Sequence, residues 1–128
     1  MEKIWLKQYG EGVPAEINPD IYNSLVDLFE ESCNKYAQKA ALSALECELT
    51  YQQLYSKARD FAAYLQNELR VKKGDRIALM MPNILQYPVC LYGALMAGLT
   101  IVNVNPLYTA PVKSARVISG VPMLPSNQ

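Results

Sequence analysis

A single stripe of apolar residues predicts an amphipathic helix over residues 51–69. The stripe consists of Leu54, Ala58, Phe61, Ala62, Leu65 and Leu69. Thr50 precedes this helix and Gln53 follows three residues later, which is the spacing of a capping box. Because the opposite face carries polar and charged side chains, the helix is expected to pack inward along one side only.

A shorter helix is predicted over residues 24–37 by the same helical spacing of apolar residues. Ser24 can cap it, and Asp27 is placed to complete a capping box. Between the two helices, residues 39–49 have the small, β-prone composition of one or two short strands with a turn near Glu46–Glu48. An irregular segment is the alternative for that stretch.

The second half of the chain is dominated by 36 consecutive residues, 77–112, that carry no charge. The run 76–81 is continuously apolar and is typical of a buried parallel strand. Asn83 can cap a helix that continues to about Ala97, and residues 100–104 form a second β-prone run. A strand, a helix and a strand in this order predict a βαβ unit with a right-handed crossover.

Two glycines in this region have the spacing of a phosphate-binding P-loop. The residue after Gly98 is Leu99, where that motif needs a lysine, so Gly93 and Gly98 are not expected to bind nucleotide. Gly98 lies where a glycine is expected at the end of a helix. Pro88 is expected either to kink this helix or to delay its start.

Residues 84–104 are apolar and long enough to span a bilayer. Several asparagine, glutamine and proline residues interrupt the run, and Gly98 divides it into a helix-length and a strand-length piece. The buried βαβ unit is therefore favoured over a membrane span. Lys72 and Lys73 precede a glycine and are interpreted as a solvated turn rather than as a phosphate clamp.

Composition excludes several classes of function. Lysine and arginine total 12 against 12 acidic residues, so no net charge attracts nucleic acid. Cys33, Cys47 and Cys90 form no C-x-x-C pair and the chain has no histidine, so zinc sites and Cys–His catalysis are unsupported. The N-terminus lacks the apolar core of a signal peptide, which predicts a cytoplasmic protein, and the three thiols are interpreted as small buried side chains.

The chain is expected to have three parts. Residues 1–22 contain prolines and glycines without periodicity and are interpreted as an extended arm, in which Trp5 can anchor to a neighbouring surface. Residues 23–109 contain the predicted helices and strands. Residues 110–128 contain three prolines and no acidic residue, which predicts an irregular tail.

Three stretches carry a resemblance to a known family. They are EINPDIYNSLVDLFEES, LTYQQLYSKARDFAAYLQ and KKGDRIALMMPNILQYPVCLYGALMAGLTIVNVNPLYT. Together they closely resemble the opening of bacterial long-chain fatty acyl-CoA synthetases, which are adenylate-forming (AMP-binding) enzymes. The resemblance covers about residues 1–109 and ends abruptly at Thr109. It implies an α/β fold, namely the start of the N-terminal domain of that family.

The resemblance also implies a chemistry for the full-length family. ATP and a fatty acid give an acyl-adenylate with the help of magnesium, and coenzyme A then accepts the acyl group. The phosphate loop, the ribose-binding acidic residue and the lysine that carry this chemistry have no counterpart in this sequence. We therefore assign no catalytic, cofactor-binding or metal-binding residue, and expect Pro82–Asn83 and Asn105–Pro106 to be structural connections.

Two interpretations of function follow. The leading one is a truncated ligase that is inactive alone, with fatty acid, ATP and CoA as ligands of the full-length family only. The alternative is a non-enzymatic docking module that binds a full-length ligase or another partner through its apolar surface. Self-association and peripheral contact with the inner face of the membrane stay open, and so does the status of the chain as an enzyme.

Overall fold

The computed structural model of the protein describes residues 3–107 and 116–118; the rest of the predicted tail lies outside these residues. The helices are α1 (Leu25–Lys35), α2 (Tyr51–Asn67) and α3 (Gln86–Met96), and short 3₁₀ helices cover Ile4–Gln8 and Pro19–Ile21. The strands are β1 (Ala40–Ala44), β2 (Cys47–Thr50), β3 (Arg76–Leu79), β4 (Thr100–Asn103) and β5 (Arg116–Ile118).

Side-chain caps start α1 and α2 where the sequence predicts them. The Ser24 hydroxyl accepts a hydrogen bond from the N–H of Asp27 at 3.1 Å. At α2 the full capping box forms: the N–H of Gln53 donates to the Thr50 hydroxyl at 3.2 Å, and the N–H of Thr50 donates to the Gln53 side chain at 2.9 Å. Both predicted helices are confirmed, and each ends about two residues earlier than predicted.

β1 and β2 form an antiparallel hairpin, so of the one or two short strands that the sequence predicts, two are present, and the irregular alternative is wrong. The turn residues are Leu45 and Glu46, slightly before the predicted turn, and their φ angles are +50° and +63°. A two-residue turn needs this left-handed backbone so that its twist matches that of the strands. For residues other than glycine or asparagine, this left-handed conformation costs roughly 1–2 kcal/mol per residue.

The predicted βαβ unit is present. β3 and β4 run parallel with Ile77 opposite Ile101, and α3 connects them, so the α/β fold class is confirmed. Gly98 has a φ of +79° and ends the helix as predicted.

The start of α3 differs from the prediction. Asn83 is not the cap: the helix begins at Gln86, and the cap position is Leu85, which makes no side-chain hydrogen bond there. The later start places Pro88 in the first turn, where backbone N–H groups need no partner within the helix. Pro88 therefore delays the helix, which is one of the two outcomes that the sequence predicts.

β5 pairs in parallel with the other edge of β3, so the strand order is β4-β3-β5. The sequence predicts an irregular tail over 110–128, but residues 116–118 within it form this strand. The reason is that β3 presents backbone donors and acceptors on both of its edges, and a strand-forming segment can satisfy the edge that β4 leaves open.

The core consists of two clusters that share α2. The larger cluster lies between α2, α3 and the parallel sheet and contains Leu65, Leu79 and Ala94, which are all fully buried. The smaller cluster joins α1 and the hairpin to α2, and there the Phe29 ring stacks on the Tyr92 ring at 3.8 Å between centroids. One face of α2 thus holds both halves of the molecule together.

The arm is exposed along its described length. Residues 3–22 include no buried side chain, and Trp5 keeps 50% of its surface exposed. An ion pair between Lys3 and Glu16, at 2.9 Å, connects two parts of the arm. Among the described residues, no helix combines the length and apolar character needed to cross a bilayer.

Candidate functional site

A cleft of about 660 Å³ opens at the carboxyl ends of β3 and β4. We call it the carboxyl-end cleft. Its lining residues are Leu79, Met81, Pro82, Asn83, Tyr87, Asn103, Val104, Asn105, Pro106 and Leu107. In open parallel sheets, ligands bind in the crevice outside the carboxyl ends of the strands, so the position of this cleft makes it the candidate site.

Backbone geometry sets the floor and the rim of the cleft. The N–H of Val104 donates to the carbonyl of Leu79 at 2.9 Å and holds the two strand ends side by side. On the rim, the side-chain oxygen of Asn105 accepts a hydrogen bond from the N–H of Leu107 at 2.9 Å. This local bond forms an Asx turn, which redirects the chain as it leaves β4.

One side-chain hydrogen bond crosses the cleft. The Tyr87 hydroxyl donates to the Asn103 side-chain oxygen at 3.0 Å and joins the first turn of α3 to the end of β4. Of the lining residues just given, none is charged, and the polar ones are asparagines and a tyrosine. The cleft can therefore recognise a group by hydrogen bonds and apolar contact.

The Lys72–Asp75 segment is a turn, as predicted. The N–H of Lys72 donates to the Asp75 carboxylate at 2.9 Å, and the N–H of Asp75 donates to the Lys72 carbonyl at 3.0 Å. Within the described part of the chain, no three His, Cys, Asp or Glu side chains lie close enough to hold a metal ion. The assignment of no catalytic, cofactor or metal residue stays a prediction.

Groups with shifted pKa values lie in the core or pack against it, away from the carboxyl-end cleft. Burial raises the pKa of the Cys90 thiol to about 11. Burial, with a smaller contribution from the Glu30 carboxylate, raises the pKa of Cys33. The pKa of Tyr55 is raised for the same two reasons, and its hydroxyl donates to Glu30 at 3.3 Å. All three groups are therefore stabilised in their protonated forms.

These environments predict unequal reactivity of the thiols. Cys33 and Cys90 are buried as expected, but the expectation is wrong for Cys47, which is exposed because it lies beside the turn of the hairpin. At pH 8 a thiol with a pKa near 11 is thiolate in roughly one molecule per thousand, so Cys90 should react slowly. With the disulfide reagent DTNB at pH 8, we expect rapid reaction of Cys47 in the native protein and of the other two thiols only in urea. Cys47→Ser should remove the rapid phase, and rapid native labelling that survives this substitution would contradict the described burial.

Residues 29–116 match the model of the AMP-binding enzyme family. The chain belongs to this family. Among curated relatives, the long-chain-fatty-acid–CoA ligase of Salmonella typhimurium LT2 is 57% identical over 109 residues, which cover 85% of this chain and 19% of the ligase. The chain thus spans about a fifth of the length of this ligase, and the expected resemblance is confirmed.

Solved structures share the fold of this chain. A benzoate CoA ligase from Burkholderia xenovorans LB400 superposes with a TM-score of 0.62 at 33% identity over 66% of this chain and 17% of that chain. The N-terminal subdomain of Klebsiella oxytoca NpsA superposes with a TM-score of 0.64 over 67% of this chain and 22% of that chain, at 24% identity, which shows the fold alone. This member of the AMP-binding family thus has the opening α/β part of the adenylate-forming N-terminal domain.

Sequence reasoning did not identify the carboxyl-end cleft as a site. The expected structural connections Pro82–Asn83 and Asn105–Pro106 both line it. A signal was present, because Asn83, Asn103 and Asn105 lie at or just after the ends of two runs predicted to be parallel strands. In this AMP-binding family member, polar residues at those positions meet at one edge of the sheet.

Proposed function

We propose that this chain forms the opening part of the N-terminal domain of a long-chain fatty acid:CoA ligase, and that it has no ligase activity alone. The observation that carries the proposal is the 57% identity to a long-chain-fatty-acid–CoA ligase over 109 residues, against coverage of only 19% of that enzyme. The full reaction activates a fatty acid with ATP through an acyl-adenylate and transfers the acyl group to coenzyme A.

The proposed role of this chain within such an enzyme is structural. The βαβ unit supplies part of the parallel sheet, and the carboxyl-end cleft supplies part of a rim. Triphosphate and Mg²⁺ need cationic side chains, backbone donors or carboxylates. Since the described lining of the cleft contains no cationic side chain and no carboxylate, we propose that ATP, Mg²⁺ and CoA are bound by other parts of the longer protein.

A domain exchange tests the first half of this proposal. Residues 1–109 of this chain would replace the matching segment of the Salmonella ligase, and fatty-acid-dependent formation of acyl-CoA would be measured. We expect a folded chimera with activity comparable to that of the parent. A chimera that folds with the parent's melting temperature but makes no acyl-CoA would overturn the assignment to a fatty acid ligase.

A separate assay tests inactivity. The isolated chain would be incubated with ATP, Mg²⁺, palmitate and CoA, with release of pyrophosphate and formation of thioester as the two readouts. We expect both to stay at the level of a no-protein blank, while the Salmonella ligase serves as the positive control. Palmitate-dependent release of pyrophosphate by the isolated chain would show that the proposal of inactivity is wrong.

The exposed arm favours a second candidate, a docking module. Several of its large apolar side chains are exposed to solvent, and Ile17 keeps 83% of its surface exposed. Exposed apolar surface of this kind is typical of an interaction site. The other exposed large apolar side chains of the arm are Ile4, Trp5, Tyr9, Val13, Ile21 and Tyr22. In this candidate the arm binds a full-length ligase, a second copy of the chain or the inner face of the membrane, in a cytoplasmic setting.

Sedimentation distinguishes the docking module from the inactive ligase part. The wild-type chain and an Ile17→Ser, Ile21→Ser double variant would each be sedimented alone, with the Salmonella ligase and with lipid vesicles. Co-sedimentation that only the wild type shows would favour docking through the arm. Identical behaviour of the two proteins in all three experiments would eliminate it.

A further inference from the structure

Two asparagine side chains of the carboxyl-end cleft have their oxygen atoms engaged by hydrogen bonds. An asparagine side chain has one acceptor oxygen and one NH₂ group with two donors. In Asn105 the oxygen accepts from the N–H of Leu107 at 2.9 Å. In Asn103 the oxygen accepts from the Tyr87 hydroxyl at 3.0 Å. What these two side chains can still offer to a ligand is therefore their NH₂ groups.

The backbone partner of Asn105 settles the orientation of its amide. A backbone N–H only donates, so the atom that meets Leu107 is the oxygen, and the NH₂ group lies on the other branch of the side chain. Among the described residues, neither this NH₂ group nor that of Asn103 donates to another protein atom. Asn83 also lines the cleft and has no side-chain hydrogen bond within the same residues. The cleft thus presents mainly donors.

An apolar floor lies beside these donors. Asn103 is paired with Leu79 in the parallel register, and Leu79 exposes only 1% of its surface. Met81 and Val104 are half-buried and also line the cleft. A ligand that satisfies the donors and covers this floor needs an acceptor oxygen attached to an apolar body.

The charge of the lining favours a neutral acceptor over an anion. None of the described residues that line the cleft is charged, so no cation compensates a carboxylate or phosphate for the water that it loses. A neutral carbonyl group loses much less hydration free energy when it is buried. Its oxygen has two lone pairs and can accept one hydrogen bond from each of two asparagines.

We propose that the carboxyl-end cleft is a binding site for uncharged carbonyl compounds of the amide or ester class. The NH₂ groups of Asn103 and Asn105 donate to the carbonyl oxygen, and the apolar body of the ligand covers Leu79 and Met81. Amides and esters share this acceptor, and a direct comparison distinguishes them. The inference concerns a cleft of this chain alone, so it does not depend on the proposed place of the chain in a ligase.

Substitutions of nearly identical shape test the donors in the full chain. Asn103→Asp keeps an oxygen for the Tyr87 hydroxyl but loses the NH₂ group. Asn105→Asp likewise keeps an oxygen for the N–H of Leu107, and aspartate also forms Asx turns. Asn67→Asp is the matched control, because it adds the same charge at an exposed residue at the end of α2, outside the cleft.

Three probes with the same four-carbon acyl chain are titrated into each protein. They are N,N-dimethylbutanamide, methyl butyrate and the butyrate anion. NMR spectra report the side-chain NH₂ signals of the asparagines, and the urea midpoint checks the fold of each variant. We expect the amide, the ester or both to shift the signals of Asn103 and Asn105 in the wild type. For ligands this small, a Kd on the order of 10 mM is expected.

Each cleft variant should weaken binding of the neutral probes by about tenfold or more, because a donor is lost and a carboxylate faces the carbonyl oxygen. Asn67→Asp should bind them as the wild type does. The proposal is overturned if both cleft variants keep wild-type binding, or if butyrate binds the wild type more tightly than either neutral probe. It is also overturned if neither neutral probe shifts the two asparagine signals, a result that stands even if a variant fails to fold.

Discussion

Replacing Gly93 with alanine should destabilise the fold by about 2 kcal/mol, because an added methyl group would overpack the contact between α2 and α3. A Cβ atom at Gly93 would lie 2.6 Å from the carbonyl oxygen of Ala58 and 2.9 Å from the Phe61 ring. The carbonyl belongs to the backbone of α2, so the two helices would have to separate. Urea unfolding, followed by circular dichroism, measures the effect.

A loss of stability at Gly93 would be specific to the close contact between the two helices. In an exposed helix, alanine is more favourable than glycine by about 1 kcal/mol, so an open site would give stabilisation. Gly10→Ala is the matched control, since no atom lies within 4 Å of a Cβ there. We expect that control to change stability by less than about 0.5 kcal/mol. A Gly93→Ala variant at least as stable as the wild type would disprove the close helix contact.

Leu65→Ala should cost about 3 kcal/mol, since truncating a buried leucine removes apolar contacts and leaves a cavity. Leu65 is 0% exposed and lies in the larger cluster, where α2 meets α3 and the sheet. A small domain has only about 5–15 kcal/mol of total stability, so this one substitution is expected to remove a large fraction of it. The midpoint and slope of urea unfolding give the change in free energy.

The hairpin provides the control for this substitution. Leu45 is 88% exposed, so Leu45→Ala makes the same chemical change without removing a buried contact. We expect it to alter stability by less than about 0.5 kcal/mol. If Leu65→Ala and Leu45→Ala were equally mild, the larger cluster would not be the main source of stability.

Local sequence patterns were enough to predict most of the fold. The α2 helix could be predicted because its cap, its apolar stripe and its polar face all depend on residues a few positions apart. The βαβ unit could be predicted because an uncharged, strand-length run on each side of a helix has few other solutions. The prediction that Asn83 caps α3 was wrong, because Asn83 and Pro88 favour different starting points for the helix. Proline fits only in the first turn, so the helix begins at Gln86.

Features that depend on distant pairing were not predicted. β5 forms only because β3 has a second edge, and the composition of residues 110–128 gives no sign of that partner. The carboxyl-end cleft also depends on distant pairing. No local pattern marks Tyr87 or Asn103, and their hydrogen bond forms because α3 returns the chain so that β4 lies beside β3. The strand order had to be known before the asparagines could be placed at one edge.

The strand order β4-β3-β5 also has a consequence for synthesis on the ribosome. The central strand is translated before either neighbour, and the chain emerges at about 5–20 residues per second. The βαβ unit can form once Asn103 has left the exit tunnel, whereas Ala78 must wait for Val117. During that interval one edge of β3 is open to strands of other nascent chains, so slow translation between these two points would favour aggregation.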